Sequence, residues 1–239
     1  LLKAGGGIAQ GDIDDKPYQE LVVNQGGEPE MLDVEDAKEI LEHLTKYQFA
    51  SRNHVLLALL WETGIRIGSA NSIDLRDIHL QDEYIDLVHR PDAGTTLKNG
   101  KSGERPIAIT SGLSEVLEEY IEHRRIDVSD EHRREPLLTS ENGRYSRTAI
   151  RTSVYRMTAP CFRDEPCPEC NQGLEKKCPE SVSPRTIRRG SITHFLTSDV
   201  PEDVVSDRMN VSRKVLHQHY DNRSAEVKLE QRRGYLNNI

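Results

Sequence analysis

The sequence is poor in apolar and aromatic side chains. Of its 239 residues, 35% are hydrophobic and 5% are aromatic, and the mean hydropathy is −0.67. No apolar run approaches the ~18–20 residues that span a bilayer, and no signal peptide is visible at the N-terminus. We therefore expect a cytoplasmic protein that has no contact with a membrane. A chain of this length still suffices for one or two domains with a core.

Positive charge is also scarce. Lysine and arginine together number 32 against 40 aspartates and glutamates, which gives a net charge of −8, and only ten of the basic residues are lysine. Proteins that contact phosphate groups normally show a basic surface instead. Any phosphate-binding site is therefore expected to be a small basic patch inside an acidic shell. The acidic surplus and the shortage of lysine are typical of a salt-adapted surface.

Apolar periodicity and capping residues predict an α+β domain that is mainly α, with one small antiparallel sheet. Residues 1–30 are Gly-rich and without period, so they are expected to be a linker or arm with at most a short strand at 20–23. The domain is expected to occupy residues 31–239. The predicted strands are 84–88, 95–98 and 105–109, with a turn at 99–103. The first predicted helix begins at 33. The other predicted helices are 52–62, 69–75, 113–125, 147–157, a segment after 183, 202–209, 213–219 and a tail from 224.

All four cysteines lie within one segment, residues 161–178. They are Cys161, Cys167, Cys170 and Cys178, in the spacing C-x5-C-x2-C-x7-C. Four thiolates form a closed tetrahedral zinc site, and a reducing cytoplasm disfavours disulfides. The segment is therefore predicted to be an insert with structural zinc. The alternative is two unpaired or redox-sensing pairs of cysteines.

A helix with several arginines is predicted after Ser183. The Ser183 hydroxyl suits an N-cap, and Pro184 suits the first helical turn. Arg185 and Arg188 are three positions apart and share one face of the helix. Two guanidinium groups on one face form a fork for phosphate oxygens. The alternative from these residues alone is a solvated basic face.

These segments resemble a known family. R-x-x-R-R-G-S-I-T-H-F-L at 185–196, followed by H-Y-D at 219–221, resembles box II and the nucleophile segment of the tyrosine recombinase (phage integrase) family. The sequences of these motifs are similar to those of family members from halophilic archaea. T-G-I-R at 63–66 resembles the first box of the family. The resemblance covers about residues 31–238.

The resemblance implies a set of catalytic residues. Tyr220 is expected to be the nucleophile, and Arg66, Arg185 and Arg188 are expected to bind the phosphate. Preplaced cations of this kind stabilise the charge that develops on phosphorus oxygens. Without the resemblance, the favoured interpretation is that Arg66, after its glycine turn, is a structural, salt-bridged arginine and that Tyr220 is a packing residue.

The resemblance also implies a lysine on a β-hairpin as general acid for the leaving 5′ oxygen. K-S-G-E-R at 101–105 resembles the K-T-G-x-R form of that motif, and L-K-N at 97–99 resembles the halophile form. Lys98 and Lys101 are therefore both candidates. The alternative is that both are ordinary turn lysines.

Two positions depart from the family pattern. Arg185 stands where box II usually begins with histidine, so a neutral base is lost and a third cation is gained. The second family histidine (or tryptophan) falls at residues 210–211, which are Asn and Val here. His194, His217 and His219 lie nearby in the sequence and are candidates to replace it.

The expected function is that of a site-specific DNA recombinase, or integrase, whose catalysis needs no cofactor. The implied partner is double-stranded DNA, with a monomer in its absence and a homotetramer on paired sites. The chain begins with Leu, so a fragment that lacks the N-terminal core-binding domain is expected. The alternatives are a catalytically impaired DNA-binding paralogue and an enzyme similar to type IB topoisomerases.

Overall fold

A computed structural model describes residues 31–166, 178, 180–220 and 224–236 of the chain. The predicted linker at 1–30, with its short strand, therefore lies outside the described residues. So do Cys167, Cys170 and the ends of the tail. Residues 31–239 form one compact unit.

Two helices open the domain, and their caps explain where they begin and end. Helix α1 (Val34–Tyr47) starts at Asp33, whose side chain accepts a hydrogen bond from the Asp36 amide. Helix α2 (Arg52–Thr63) is apolar on nearly all sides and is largely buried, as its sequence predicts. It ends at Gly64, which has φ +58, a left-handed conformation that glycine adopts without strain.

A short helix and a three-stranded antiparallel sheet follow. Helix α3 (Ile67–Ser72) leads to strands β1 (Ile78–His79), β2 (Tyr84–Leu87) and β3 (Arg105–Ala108). The order in the sheet is β1-β2-β3, with Ile85 paired to both Ile78 and Ile107. Ile85 and Leu87 face the core because strand side chains alternate between the two faces.

The predicted strand at 95–98 is wrong. In the structure β2 pairs directly with β3, and the third strand of the sheet is β1. Thr95 forms only an isolated bridge with Arg90, closing a tight loop in which Gly94 has φ +71. The chain therefore reverses before it can extend, and residues Gly100–Gly103 form a 3-10 turn ahead of β3.

The remaining helices agree closely with the sequence prediction. Helix α4 (Ser111–Glu119) continues into a π turn (Tyr120–Arg124), and a small hairpin of β4 (Thr139–Ser140) and β5 (Gly143–Arg144) precedes the next helix. Later helices are α5 (Arg147–Met157), α6 (Pro184–Thr197), α7 (Glu202–Met209), α8 (Arg213–His219) and α9 (Ala225–Leu236). The predicted Ser183 cap is confirmed, because its hydroxyl accepts from the Thr186 amide at 3.2 Å. The predicted α+β, mainly α architecture is confirmed.

Two apolar clusters hold the domain together. The larger contains helices α1 to α5 and the sheet, and the smaller contains the second half of α6 with α7 and α8. Helix α6 belongs to both clusters and packs along α2. A side chain at Gly190 would collide with the Leu32 backbone, so glycine permits this close approach. Among the described residues, no helix is both long enough and apolar enough to cross a membrane.

A buried group of charges links the loops around the sheet, and we call it the ionic network. Arg144 contacts Asp74 and Asp130, with 2.9 Å between its Nη2 and Asp130 Oδ2. Arg134 donates to the same Asp130 oxygen at 2.7 Å. Further members are Arg90 and Asp77. The exposed fractions of the three carboxylate side chains are 1% to 6%, so they lie in the interior and each faces an arginine.

Candidate active site

The turn after α2 places Arg66 at the junction of three elements. Gly64 reverses the chain, and Arg66 is then the N-cap residue of α3, with extended backbone angles. A side chain at Gly64 would meet the Met209 sulfur at 2.8 Å, so the turn lies tightly against the end of α7. The half-buried Arg66 side chain points toward this end, where its Nη1 donates to the Asn210 carbonyl at 3.4 Å.

Arg188 joins the same elements from α6. Its side chain is 6% exposed. Its Nη1 donates to the Gly64 carbonyl, and its Nη2 donates to the Met209 carbonyl at 2.8 Å. The structure therefore brings Arg66 and Arg188 to the end of α7, although they are 122 positions apart in the sequence.

Arg105, at the start of β3, is a third arginine at this place. Its Nε donates to the Arg208 carbonyl at 2.9 Å, and its Nη1 donates to the Gly103 carbonyl at 2.8 Å. Sequence reasoning did not select Arg105, although it is the arginine that closes the K-S-G-E-R motif. We call Arg66, Arg105 and Arg188 the arginine cluster.

The arginine cluster holds positive charge in a poorly solvated place. The pKa of Arg188 is lowered to about 9, first by burial and then by the charge of Arg66, while Tyr220 opposes the shift through its charge interaction and a hydrogen bond. The pKa of Arg105 is lowered to about 10 by burial and by the charges of Arg66 and Arg208. Both guanidinium groups remain charged at neutral pH. Their mutual repulsion favours the binding of an anion such as a phosphate diester.

Tyr220 lies at the end of α8, next to the arginine cluster. Its half-buried ring packs against the smaller apolar cluster. Its carbonyl accepts from Thr193 Oγ1 at 3.1 Å, and the Arg189 guanidinium lies 6.0 Å from the ring centroid. Arg189 also donates to the His219 carbonyl at 3.0 Å. Helix α6 therefore fixes both the backbone and the ring of Tyr220, whose side chain also interacts with the buried Arg188.

Lys98 and Lys101 are exposed and lie on one short segment beside Asn210. We call residues 97–103 the lysine segment. The segment is anchored at Leu97, which is buried and whose amide donates to His89 Nδ1 at 3.0 Å. Asn99 Nδ2 donates to Asn210 Oδ1 at 3.1 Å. Because the Asn210 carbonyl also accepts from Arg66, the lysine segment adjoins the arginine cluster.

The other sequence candidates lie in different surroundings. Arg185 is exposed on the first turn of α6, whereas Arg188 is buried, so the two guanidinium groups do not share one environment. His194 stacks on Trp61 with 5.8 Å between the ring centroids. His217 pairs with Glu202 at 3.2 Å. His219 is exposed, and its contact with Arg189 is through its carbonyl.

Two of the four predicted zinc ligands can be located. Cys161 is half-buried in a 3-10 turn (Pro160–Arg163), and Cys178 is buried. Within residues 31–166, 178, 180–220 and 224–236, no group of three or more His, Cys, Asp or Glu is placed to hold a metal ion. A site that needs Cys167 and Cys170 extends beyond those residues.

Comparison with family models places this chain among known proteins. The model of the phage integrase family matches residues 30–226. Tyrosine recombinase XerD of Oceanobacillus iheyensis is 23% identical over 184 residues, which cover 76% of this chain and 53% of the relative. XerD of Listeria innocua is 22% identical over 170 residues, covering 70% and 49%. The chain thus spans about half the length of the curated relatives it matches.

Solved structures share the fold at low sequence identity. XerA recombinase superposes with a TM-score of 0.62 at 16% identity, covering 95% of this chain and 69% of that one. The Tn1549 transposon integrase, solved with a circular intermediate DNA, gives 0.64 at 14% identity, covering 91% and 68%. XerH recombinase bound to its difH substrate gives 0.59 at 16% identity, covering 92% and 58%.

Proposed function

Because the chain belongs to the phage integrase family, we propose that it is the catalytic part of a site-specific DNA recombinase. Residues 31–239 are the catalytic domain, with residues 161–178 as an insert and residues 1–30 as an arm. The observation that carries the proposal is the meeting of Arg66 and Arg188 at the end of α7, with Tyr220 beside the buried Arg188. A phenol beside buried cations is suited to attack on a phosphate diester.

The proposed reaction cleaves and rejoins DNA through a 3′-phosphotyrosyl intermediate. The phenolic oxygen of Tyr220 attacks phosphorus, the bond from phosphorus to the 5′ oxygen breaks, and the phenolic proton passes to solvent. Lys98 or Lys101 gives a proton to the leaving 5′ oxygen and regains one from solvent. Arg66 and Arg188 bind the nonbridging oxygens, and Arg185 adds a contact at the edge of the site. Rejoining is the reverse attack by a 5′ hydroxyl, and catalysis needs no cofactor.

We propose double-stranded DNA as the partner, bound at the arginine cluster despite the acidic net charge. The similar folds of recombinases solved with DNA support this assignment. We further propose a monomer without DNA and a homotetramer on paired sites. Sedimentation with and without a duplex that carries two sites would measure both states.

Incubation with nicked suicide DNA tests the proposed function. Such a duplex loses a short fragment after cleavage, so the covalent intermediate accumulates. The wild-type chain is expected to form a protein–DNA adduct, and Tyr220→Phe is expected to bind DNA without forming one, because only the phenolic oxygen is lost. An adduct that persists in Tyr220→Phe would assign the nucleophile to another residue.

A second candidate function is a DNA-binding paralogue that has lost cleavage. The observation that favours it is Arg185, which is exposed and occupies the place of the usual box II histidine. Failure of the wild type to form an adduct, together with success of Arg185→His, would support this function. Relaxation of supercoiled DNA by the monomer would instead support an activity similar to that of type IB topoisomerases.

We also propose that the cysteine insert binds one structural zinc ion through Cys161, Cys167, Cys170 and Cys178. The support is their spacing, with a C-P-E-C pair in the middle of the segment. Metal analysis is expected to find about one zinc per chain, with Zn–S distances of ~2.3 Å by X-ray absorption. Mass spectrometry that finds disulfides among these cysteines would contradict the site.

The proposed setting is the cytoplasm of a cell with high internal salt. Because the proposed substrate is DNA, the protein is expected in the compartment that holds the chromosome. The net charge of −8 and the small number of lysines fit a salt-adapted surface. The thermal midpoint is then expected to rise between low and molar KCl, since screening relieves repulsion between surface carboxylates. A midpoint independent of salt would contradict salt adaptation.

A further inference from the structure

The end of α7 organises the arginine cluster through its backbone. The helix stops at Asn210, which has φ 47 and ψ 62, the left-handed region. Three successive carbonyl oxygens at this helix end each accept a hydrogen bond from a different arginine. The Arg208 carbonyl accepts from Arg105, the Met209 carbonyl from Arg188, and the Asn210 carbonyl from Arg66. Asparagine tolerates left-handed backbone better than most side chains, so Asn210 suits this stop.

The Asn210 side chain contacts the segment that carries the candidate lysines. Its Oδ1 accepts from Asn99 Nδ2 at 3.1 Å. Its Nδ2 lies against Gly103, where an added Cβ would meet it at 3.1 Å. These two contacts bracket the 3-10 turn at Gly100–Gly103, so one amide touches both ends of the segment that follows Lys98.

We propose that Asn210 is a positioning residue that holds the lysine segment in register with the arginine cluster. This inference rests on the proposed recombinase function. A lysine that protonates a leaving oxygen must lie within hydrogen-bond reach of it, yet both candidate lysines extend from an exposed turn. Asn210 connects that turn to the same backbone that orients Arg66 and Arg188. This connection aligns the lysine segment with the phosphate that the arginines hold.

Three substitutions separate the side-chain function of Asn210 from its backbone function. Asn210→Gly keeps the left-handed conformation and the carbonyl oxygens but removes the amide that contacts Asn99. Asn99→Ala removes the same hydrogen bond from the other partner and is the matched variant. Asn210→Ala removes the amide and also disfavours the left-handed backbone. Thermal unfolding of each variant reports whether the fold is retained.

The leaving group provides the decisive measurement. Cleavage is compared on a nicked suicide duplex with the natural 5′ oxygen and on one with a bridging 5′ sulfur at the cleavage site. A thiol ionises near pH ~8.5, so the sulfur departs as a thiolate without a proton from lysine. When the bond from phosphorus to sulfur breaks, Tyr220 and the arginine cluster still act as before.

We expect Asn210→Gly and Asn99→Ala to lower the cleavage rate on the oxygen duplex by roughly 10- to 100-fold, the effect of a misplaced catalytic group. On the sulfur duplex both should cleave within about threefold of the wild type, because general acid catalysis is then dispensable. Whichever of Lys98→Ala and Lys101→Ala removes the general acid should show the same rescue. Asn210→Ala should be rescued only in part, since the arginine cluster also shifts.

Equal losses on the two duplexes, with an active wild type, would overturn the positioning function of Asn210 and leave the recombinase function standing. Wild-type rates on the oxygen duplex in both Asn210→Gly and Asn99→Ala would overturn it as well. Absence of an adduct from the wild type on either duplex would overturn the recombinase function and this inference together.

Discussion

The ionic network and the arginine cluster both bury guanidinium groups, but the groups that accept their hydrogen bonds differ. In the ionic network, Arg90 has a raised pKa, first because of its hydrogen bond to Asp77. In the arginine cluster, Arg188 donates to backbone carbonyls, and its pKa is lowered by burial and by Arg66. A buried carboxylate is left uncompensated if the cation that faces it is removed, whereas a cation held by carbonyls remains available to an external anion. The comparison separates the structural arginines of this domain from those of the site.

Removal of a cation from the ionic network should cause the largest loss of stability. Arg144→Ala leaves Asp74 and Asp130 buried with less compensation, and we expect the free energy of unfolding to fall by ~3–5 kcal/mol. Chemical denaturation measures this change. The matched control is Arg76→Ala, because Arg76 is 60% exposed and meets the same Asp74 at 3.4 Å. A surface pair of this kind contributes at most about 1 kcal/mol. Equal losses in the two variants would contradict the structural function of the network.

Removal of a cation from the arginine cluster should mainly reduce activity. Arg188→Ala is expected to raise the cleavage barrier by ~3–4 kcal/mol, a loss of several hundredfold, because a preorganised donor to the phosphate is removed. Its unfolding free energy should fall less than that of Arg144→Ala. Single-turnover cleavage of suicide DNA and denaturation measure the two effects. Arg124→Ala, at an exposed position of the π turn, serves as the control for general loss of charge. A variant that loses stability but keeps its cleavage rate would make Arg188 a structural residue.

Acid should weaken the ionic network in a defined window. Burial opposes the ionised form of Asp130, but hydrogen bonds from the Arg134 backbone and from Arg144 outweigh it, and its pKa lies well below the ordinary 3.8. A depressed carboxyl pKa contributes stability that is fully present above the unfolded pKa and is lost as pH falls below it. Stability should therefore decline below about pH 4. Asp130→Asn should be less stable at neutral pH and show a flatter decline, measured by denaturation from pH 7 to pH 2. An equally steep acid decline in the variant would show that other carboxylates dominate.

Substitution of Arg185 should have the smallest effect. Arginine can bond a nonbridging oxygen but does not exchange a proton near neutral pH, whereas histidine can do both. Arg185→His is therefore expected to bind DNA slightly more weakly and to cleave equally fast or faster. Binding and cleavage across pH 5–8 measure this. The pH–rate profile of the wild type should show no inflection that comes from a histidine at this position. A large loss of cleavage in Arg185→His would show that the exposed guanidinium is essential.

Local signals in the sequence account for most of the fold. Ser183 and Pro184 predict the start of α6, and Gly64 predicts the end of α2, because caps act through neighbouring backbone groups. The extended segment at 95–98 was mispredicted because a bridge between Arg90 and Thr95 closes a loop there. A tight turn of this kind, with Gly94 in the left-handed conformation, overrides the strand preference of the segment that follows it.

The site was predictable only where a motif marks its residues. Arg66, Arg188 and Tyr220 belong to motifs with recognisable spacing. Arg105 was missed, and Asn210 was noted only as a departure from the family pattern, because their contacts come from a meeting of segments about 100 residues apart. No periodicity in the sequence records that meeting. A further signal was present in K-S-G-E-R, whose last residue is Arg105.

The most direct test of the account is to identify the residue that carries DNA after cleavage. Wild-type protein trapped on suicide DNA would be digested with protease and nuclease, and the peptide that retains a nucleotide would be sequenced by mass spectrometry. The account predicts that the nucleotide is attached to Tyr220, the tyrosine at the end of α8 beside Arg188. Attachment to any other residue, or an unmodified Tyr220 peptide from a confirmed adduct, would contradict it.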